Sequence, residues 1–510
     1  MKLETLVRAI SNGGAVQGSG EMEIEAVAYD SRRVESGALF VAVPGFETDG
    51  HRFLPQALER GAMAVLVQED RRSLWEAMLF GRAVAVIVAD DTRRALADVS
   101  AAFFDYPARS LRVVGITGTK GKTTTSYLTS ALLEAAGHPT GLLTGVAFKI
   151  GDSFTMNETQ VTTPESLEVQ SLLARMRDEA EYAVVESTSH GLALHRLEHL
   201  EYDVAVFTNL SPDHLDFHAT VDDYRETKGR LFEMLDEAVD KGIGKTAVLN
   251  ADDPASAYLR SRTKTARVLT YGIESEEADV RALDVALSES GSRFQLATPA
   301  GSAQVELPLL GRFNVYNSLA AATVAISQGA DAATVTEALG AFDSVPGRLE
   351  RIECGQPFAV VVDYAHTPDS LRSVLQALRP VASGRLVVVF GCGGDRDPGR
   401  RTGMGEAAAA LADFTVLCND NPRTEDSAAI LEQIAQAMTQ AGMREDGDFV
   451  RIPDRRAAMR HAFEGARSGD VVLIAGKGHE PYLIVGNEYL PWDDREVARE
   501  ELRAALGVDR

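Results

Sequence analysis

The sequence predicts an α/β protein of three domains, and three observations carry that expectation. At 510 residues the chain exceeds what one hydrophobic core usually serves. Short continuous apolar runs alternate with helical segments over most of its length, the pattern of parallel sheets buried on both faces. A glycine-rich turn ending in Gly121-Lys122-Thr123 joins one such run to a helix, where a phosphate-binding loop belongs. The expected units are a mixed α/β domain over 1–109, a phosphate-loop domain with a parallel sheet over 110–345, and a Rossmann-like domain over 346–510.

Composition narrows the class. Hydrophobic residues make up 45% and charged residues 25%, as in ordinary soluble globular proteins and unlike disordered ones. A formal charge of −24 argues against wrapping around nucleic acid, which needs clustered Lys and Arg. Cys354, Cys392 and Cys418 are odd in number and far apart, with no CxxC or zinc spacing, so reduced thiols are expected. The opening MKLETLVRAI is broken by Glu4 and Arg8 before an apolar signal core develops, and no run has bilayer-spanning length. A cytoplasmic protein without membrane insertion is the expectation.

In chain order, residues 30–45 set turn residues around the apolar run 39–43. A helix-like LPQALERGA follows, then strand-like runs at 64–67 and 83–88. The polar, proline-bearing DYPARS (105–110) marks a junction. Beyond it come VVGIT, a helix expected over 124–136, and strand-like runs at 182–187, 203–209 and 246–253. Ligands of such sheets bind at the carboxyl ends of the strands, where Glu186, Asn209 and Asn250 fall. After a second junction, SVPGR (344–348), four more apolar runs each end in a loop rich in Gly, Asp, Asn or His. AAAALA (407–412) reads as a locally biased helix.

The stretch VVGITGTKGKTTT (113–125) organises the chain. Its turn exposes backbone N–H groups and the helix start adds positive potential, so anions are favoured there. Lys122 offers a point charge to outer phosphates and Thr123 a hydroxyl to Mg²⁺. Asp213, His214, Asp216 and His218 are spaced either for a metal cluster or for a polar loop in which Asp caps the next helix. Lys228, within DDYRETKGRLF, reads as a solvated lysine on a charged surface helix. VTTPES (161–166) reads as a helix start with Pro164 in the first turn, and GRFNVYNSLAA as a helix capped by Asn314. GCGGDRD, DNPR and GKGHE each suit turns taken singly, but all three follow buried strands.

The form TGTxGKT, with Ile116 where the general phosphate-loop pattern has glycine, resembles the ATP loop of the Mur ligases and of the related folylpolyglutamate synthetases. DSR with FETDGHRF resembles the uridine-nucleotide-binding N-terminal domain of the Mur ligases acting on UDP-muramoyl-dipeptide, a domain the folylpolyglutamate synthetases lack. The resemblance implies ATP contacts from Gly118, Thr119, Lys120, Gly121, Lys122 and Thr123, with Thr124 beside them. Asn314, Asn317, Arg348 and Asp363 are implied near the same nucleotide. It implies Mg²⁺ held by Thr123, Glu186 and His214, with Lys228 carbamylated into a carboxylate-like ligand; Lys122, Lys228, Glu186 and His214 become the catalytic set. An unmodified lysine near pKa ~10.4 would repel the metal.

The same resemblance assigns the uridine-muramoyl substrate to Ser31, Phe46, Glu47 and Thr48, and its peptide end to Thr162, Thr163, Thr188 and Arg196. Some relatives carry asparagine at the position of Val161 and glutamine at that of Leu194. The last domain's loops are similar to the amino-acid site of the diaminopimelate-adding branch, through Arg396, Asp420, Asn421, Pro422, Arg423, Gly476 and Glu480. The implied activity is an ATP-dependent amide ligation. It joins meso-diaminopimelate to UDP-N-acetylmuramoyl-L-alanyl-D-glutamate through an acyl phosphate, in peptidoglycan synthesis. The partners are then these small molecules alone, and a monomer is expected. Lysine or ornithine as the added residue, or folylpolyglutamate synthesis, are the alternatives. A GTP switch is disfavoured by the absence of an NKxD motif.

Overall fold

The computed structural model describes residues 1–11, 15–17, 20–46, 48–157, 159, 161–215 and 217–507. Glu47 and Asp216, both expected near the site, lie outside the described residues. The chain forms two compact units, Met1–Arg281 with Leu319–Val335, and Ala282–Ser318 with Thr336–Arg510.

The first unit holds two sheets. The N-terminal one orders its strands Ala15–Gln17, Ala85–Ala89, Ala64–Gln68, Ala38–Val41 and Ala26–Ala28, parallel except for the first pair. Leu39, Val41, Leu66 and Ile87 face one core with Leu3, Leu96 and Val99, while Phe40, Val65 and Val67 face another with Trp75. Fully buried strands of this kind read as unbroken apolar runs.

The second sheet runs parallel through the strands Arg267–Gly272, Thr246–Asn250, Val204–Phe207, Arg112–Thr117, Tyr182–Glu186 and Thr140–Leu143, with Val280 and Arg281 pairing in parallel beyond Arg267–Gly272. Ala147–Ile150 and Ser153–Met156 extend it antiparallel, an addition the apolar runs did not signal. From Arg112–Thr117 the chain first builds toward Thr140–Leu143 and Tyr182–Glu186, then crosses to Val204–Phe207 on the opposite side. Such a reversal opens a crevice at the carboxyl ends of the two adjoining strands. Gly118 and Thr208 stand at its lips. The buried Asp203 anchors the opposite end, accepting from Val113 N at 2.8 Å and pairing Lys241 and Lys245 at 2.8 and 2.9 Å.

Several local expectations shift. The helix after the loop is Lys122–Ala135, two residues earlier than expected, because Gly121 at φ 84° turns the chain directly into it. Pro164 precedes the helix Ser166–Met176, whose N-cap is Glu165. The helix after the His214 loop, Val221–Glu237, is capped by the Thr220 hydroxyl and not by an aspartate. Asn314 does not cap; it lies inside the first turn of Arg312–Ser327.

In the second unit, Glu350–Arg351, Ala359–Asp363, Val471–Ala475, Leu386–Phe390, Phe414–Leu417 and Phe449–Arg451 form a sheet that is parallel after its first pair. Its faces are covered by two clusters, one around Leu375, Met404 and Ile434, the other around Met459, Phe463 and Leu502. The antiparallel pair Gly291–Thr298 and Gly301–Leu307 also belongs to this unit, again without an apolar run to announce it.

Candidate active site

The phosphate-binding turn is stitched to the neighbouring strand end. Thr119 N donates to Asn209 O at 2.8 Å and Lys120 N to Asn209 Oδ1 at 3.0 Å. Asn209 Nδ2 donates back to Lys120 O at 3.0 Å, and Thr208 Oγ1 reaches the same carbonyl at 2.7 Å. Gly118 has φ 149°, and a Cβ there would stand 1.9 Å from Thr208 Oγ1. Only glycine fits that approach. Thr119, Thr123 and Thr124 are buried at the start of the helix, whose first amides have no acceptor within the helix itself.

Two lysines converge here. Lys122 Nζ donates to Gly118 O at 3.0 Å and Thr119 O at 2.9 Å, and Lys228 Nζ donates to Gly118 O at 2.8 Å. Lys228 is buried, contrary to its reading as a solvated surface residue. Its amine also lies 4.2 Å from the centroid of the Tyr224 ring. Burial drives the Lys228 amine well below the ordinary lysine value; the charge of Lys122 adds to the shift and that of Asp213 opposes it.

Glu186 ends its strand buried, accepting from Gly145 N at 3.0 Å. Around it Thr163 and Thr188 share a 2.8 Å hydroxyl contact, and Thr163 Oγ1 also donates to Glu186 O. Arg196 donates to Thr163 O at 3.0 Å and pairs with Glu165 at 2.7 Å. The structure therefore gathers Thr163, Thr188, Glu186 and Arg196 into one network, with Thr162 against Gly145. His214 stands apart from that network on a loop, half exposed and at φ 54°, packed edge-on to His190 at 4.9 Å and near the Tyr224 ring at 6.2 Å. A left-handed backbone at a non-glycine residue is a strain that functional loops tend to hold.

Among the described residues no group of three His, Cys, Asp or Glu side chains is arranged to hold a metal. His218 is buried and faces Asp223 instead. The donors that the sequence reading assigned to a metal are the Thr123 hydroxyl, the Glu186 carboxylate and the His214 imidazole. This sparse, oxygen-bearing set fits Mg²⁺, which takes few protein ligands, far better than a zinc cage.

Ser31 is buried and donates to Gln56 Oε1 at 2.7 Å. Phe46 is 73% exposed, with the Arg93 guanidinium over its ring and Phe217 edge-on at 6.0 Å. Thr48 closes the same loop by accepting from Gly45 N.

In the second unit Asn314 and Asn317 are joined at 2.9 Å, and Asn314 Nδ2 holds Leu310 O. Asp363 is buried and accepts from Leu349 N and Ala365 N at 2.8 and 2.9 Å; burial raises its pKa against the pull of Arg348. Arg348 lies over the Tyr364 ring at 4.6 Å. Asp420 is buried with its pKa raised by burial against the pull of Lys477, and a Cβ on Gly476 would stand 2.5 Å from its Oδ2. Arg423, at φ 51°, reaches Gly394 O at 2.8 Å. Pro422 is buried beside it, while Arg396 is exposed on the facing loop. The strand ends are braced by Arg455 and Asp494, a fully buried pair at 2.8 and 2.6 Å; Arg455 also donates to Ala475 O.

Sequence reading passed over two residues that the structure puts to use, Thr208 and Lys477. Thr208 latches the phosphate turn together with Asn209, whose strand-end position the sequence had marked for ligands. Lys477, buried between Gly476 and Glu480 in GKGHE, bonds Asn421 and Glu480. A lysine between glycines gives no sign of burial.

A strand–turn–helix cradle for phosphate with a buried lysine on its rim is the arrangement of a nucleotide-binding protein. Family models agree domain by domain: "Mur ligase family, catalytic domain" over 23–104, "Mur ligase middle domain" over 116–325 and "Mur ligase, glutamate ligase domain" over 347–478. The chain belongs to the Mur ligase family, enzymes that form amide bonds at the expense of ATP. It is 47% identical to a UDP-N-acetylmuramyl-tripeptide synthetase of Roseiflexus sp. (strain RS-1), over 95% of both chains. It is 44% identical to a UDP-N-acetylmuramoyl-L-alanyl-D-glutamate--2,6-diaminopimelate ligase of Geobacillus thermodenitrificans (strain NG80-2), over 99% of both. A solved structure of a ligase of that second name matches with TM-score 0.65 and 35% identity, covering 94% of this chain and 95% of that one.

Proposed function

We propose that this ligase joins meso-diaminopimelate to UDP-N-acetylmuramoyl-L-alanyl-D-glutamate, with ATP cleaved to ADP and phosphate. The observation that carries the reading is 44% identity, over 99% of both chains, with a diaminopimelate ligase. The proposed domains run 1–109 for the uridine nucleotide, 110–345 for ATP and 346–510 for the amino acid.

The D-glutamyl carboxylate attacks the γ-phosphorus, forming an acyl phosphate as ADP leaves. The neutral amine of the diamino acid then attacks the acyl carbon, and phosphate departs as the amide forms. Lys122 and the helix start offset the charge of the transferring phosphoryl group, and the buried turn limits reorganisation. Gly118, Thr119, Lys120, Gly121 and Thr124 shape the cradle; Asn314, Asn317, Arg348 and Asp363 are assigned to the nucleotide as well. Thr123, Glu186, His214 and a carbamylated Lys228 would hold Mg²⁺. When bound, that ion would supply positive charge beside the phosphates. Only a neutral amine reacts with CO₂ to form a carbamate, and burial favours that form at Lys228.

Ser31, Phe46, Glu47 and Thr48 are assigned to the uridine end of the substrate, and Thr162, Thr163, Thr188 and Arg196 to its dipeptide. Arg396, Asp420, Asn421, Pro422, Arg423, Gly476 and Glu480 are assigned to the amino acid. Among the described residues no helix is long and apolar enough to cross a membrane, and we take the enzyme as a cytoplasmic monomer.

Incubation with ATP, Mg²⁺ and the dipeptide nucleotide, across a panel of amino acids, tests the reading. ADP release with meso-diaminopimelate supports it; none with any amino acid overturns it. A preference for lysine or ornithine is the second reading, which the name of the Roseiflexus relative leaves open.

A further inference from the structure

Lys477 sits between two glycines of left-handed backbone, Gly476 at φ 118° and Gly478 at φ 56°, with its side chain fully buried. Its ammonium donates to Asn421 Oδ1 at 3.0 Å and Glu480 Oε2 at 2.9 Å, and lies 3.9 Å from Asp420 Oδ1. The ring closes through Asn421 Nδ2, which donates to the same Glu480 oxygen at 3.0 Å. Asn421 Oδ1 also accepts from Ile484 N at 3.0 Å, tying the ring to the next strand.

Charge and exposure give this ring a direction. Asp420 and Glu480 both face the Lys477 ammonium. Lys477 and Asp420 are hidden, whereas the Glu480 side chain is 23% exposed. Glu480 is thus the member that presents a carboxylate outward, and an ammonium is its chemical complement. Without Lys477, Glu480 would lose its charge-assisted bond and Asn421 one of its two fixed donors.

We infer that Lys477 is a positioning residue of the amino-acid site, holding Glu480 and Asn421 so that the Glu480 carboxylate receives the second ammonium of a diamino acid. This rests on the function proposed above. Lys477 itself touches no substrate in this account; it acts through the two side chains it bonds.

The test compares KM for meso-diaminopimelate, ATP and the dipeptide nucleotide in the native enzyme, Lys477→Met and Lys477→Arg. Lys477→Met is expected to raise KM for meso-diaminopimelate roughly 10- to 100-fold, the loss of one charge-assisted bond. The other two KM values should stay within about threefold. Lys477→Arg keeps the charge and should retain more of the affinity than Lys477→Met. A meso-diaminopimelate KM unchanged in Lys477→Met, or a rise shared by all three substrates, overturns the inference. Should Lys477→Met fail to fold by circular dichroism, Lys477→Gln, which also removes the ammonium but keeps a polar side chain, carries the test. A selective rise in its meso-diaminopimelate KM supports the inference, and an unchanged or shared value overturns it. Absence of ligation by the native enzyme would instead refute the proposed function.

Discussion

Lys122 and Lys228 donate to one acceptor, the carbonyl of Gly118, at 3.0 and 2.8 Å. Two full positive charges so close would repel strongly in a buried setting. Burial removes that conflict by pushing Lys228 toward its neutral form. The two amines thus share one backbone acceptor in different surroundings, Lys228 buried and Lys122 part-buried.

Lys228→Ala is expected to lower kcat roughly 100-fold or more, the scale of losing one preorganised charge-stabilising group. Added formate or acetate should restore part of the rate by standing in for the carbamate oxygens. Steady-state turnover with and without the carboxylates measures this. Native-like activity of Lys228→Ala would remove the residue from the chemistry.

Substituting the turn separates charge from shape. Lys122→Ala should abolish ligation while shifting Tm by only about 2 °C, since its role is charge and not packing. Gly118→Ala should also lose ATP-dependent turnover, because the new Cβ would collide with Thr208 Oγ1. Calorimetric melting and ATP titration distinguish the two: Lys122→Ala keeps its fold, whereas Gly118→Ala distorts the turn itself.

Arg423 is expected to set the preference for meso-diaminopimelate over lysine. The two differ by one distal carboxylate, which a guanidinium grips with paired charge-assisted bonds. In the structure Arg423 rests on Gly394 O, a neutral acceptor that a carboxylate outcompetes. Leaving the guanidinium unmatched costs about 2–5 kcal/mol, roughly thirty- to several-thousand-fold in kcat/KM. That ratio should shrink toward one in Arg423→Ala. Equal native kcat/KM for both amino acids would reject the assignment.

Asp494→Ala should destabilise the second unit by about 3–5 kcal/mol, because Arg455 would be left charged and buried. The damage should reach the amino-acid loops, since Arg455 also holds Ala475 O directly before Gly476. Denaturant melts and KM for the amino acid, measured together, would register both effects. An unchanged melt would show the pair to be dispensable.

Cys392 and Cys418 should resist alkylation at pH 8 in the folded protein. Burial pushes their thiols up to about 12 and about 11, so the reactive thiolate is roughly one part in a thousand or less. Mass spectrometry after iodoacetamide, with and without urea, reads this out. Rapid labelling of either without urea would contradict their burial.

The parallel sheets were legible because strands such as Val471–Ala475 and Leu386–Phe390, buried on both faces, leave unbroken apolar runs. The antiparallel additions were not: Ser153–Met156 is mostly exposed and Gly291–Thr298 partly so, which mixes polar residues into their pattern, and the buried Ala147–Ile150 is short and interrupted by Lys149. The phosphate turn was legible because glycine, lysine and threonine are each demanded by its geometry. Lys228 and Lys477 show the limit. Burial of a lysine is decided by what packs over it, and neither the YRETKGRLF helix nor the GKGHE turn encodes that locally.

The Asn209 latch bears on how nucleotide arrives. With Thr119 and Lys120 fastened to the next strand, the turn's shape is set by hydrogen bonds within the chain itself. Binding then loses little chain entropy, and affinity is gained by sparing the loop an ordering step. Capture of the triphosphate becomes a matter of encounter and orientation, its speed governed by diffusion and by the local field, not by a loop waiting to fold.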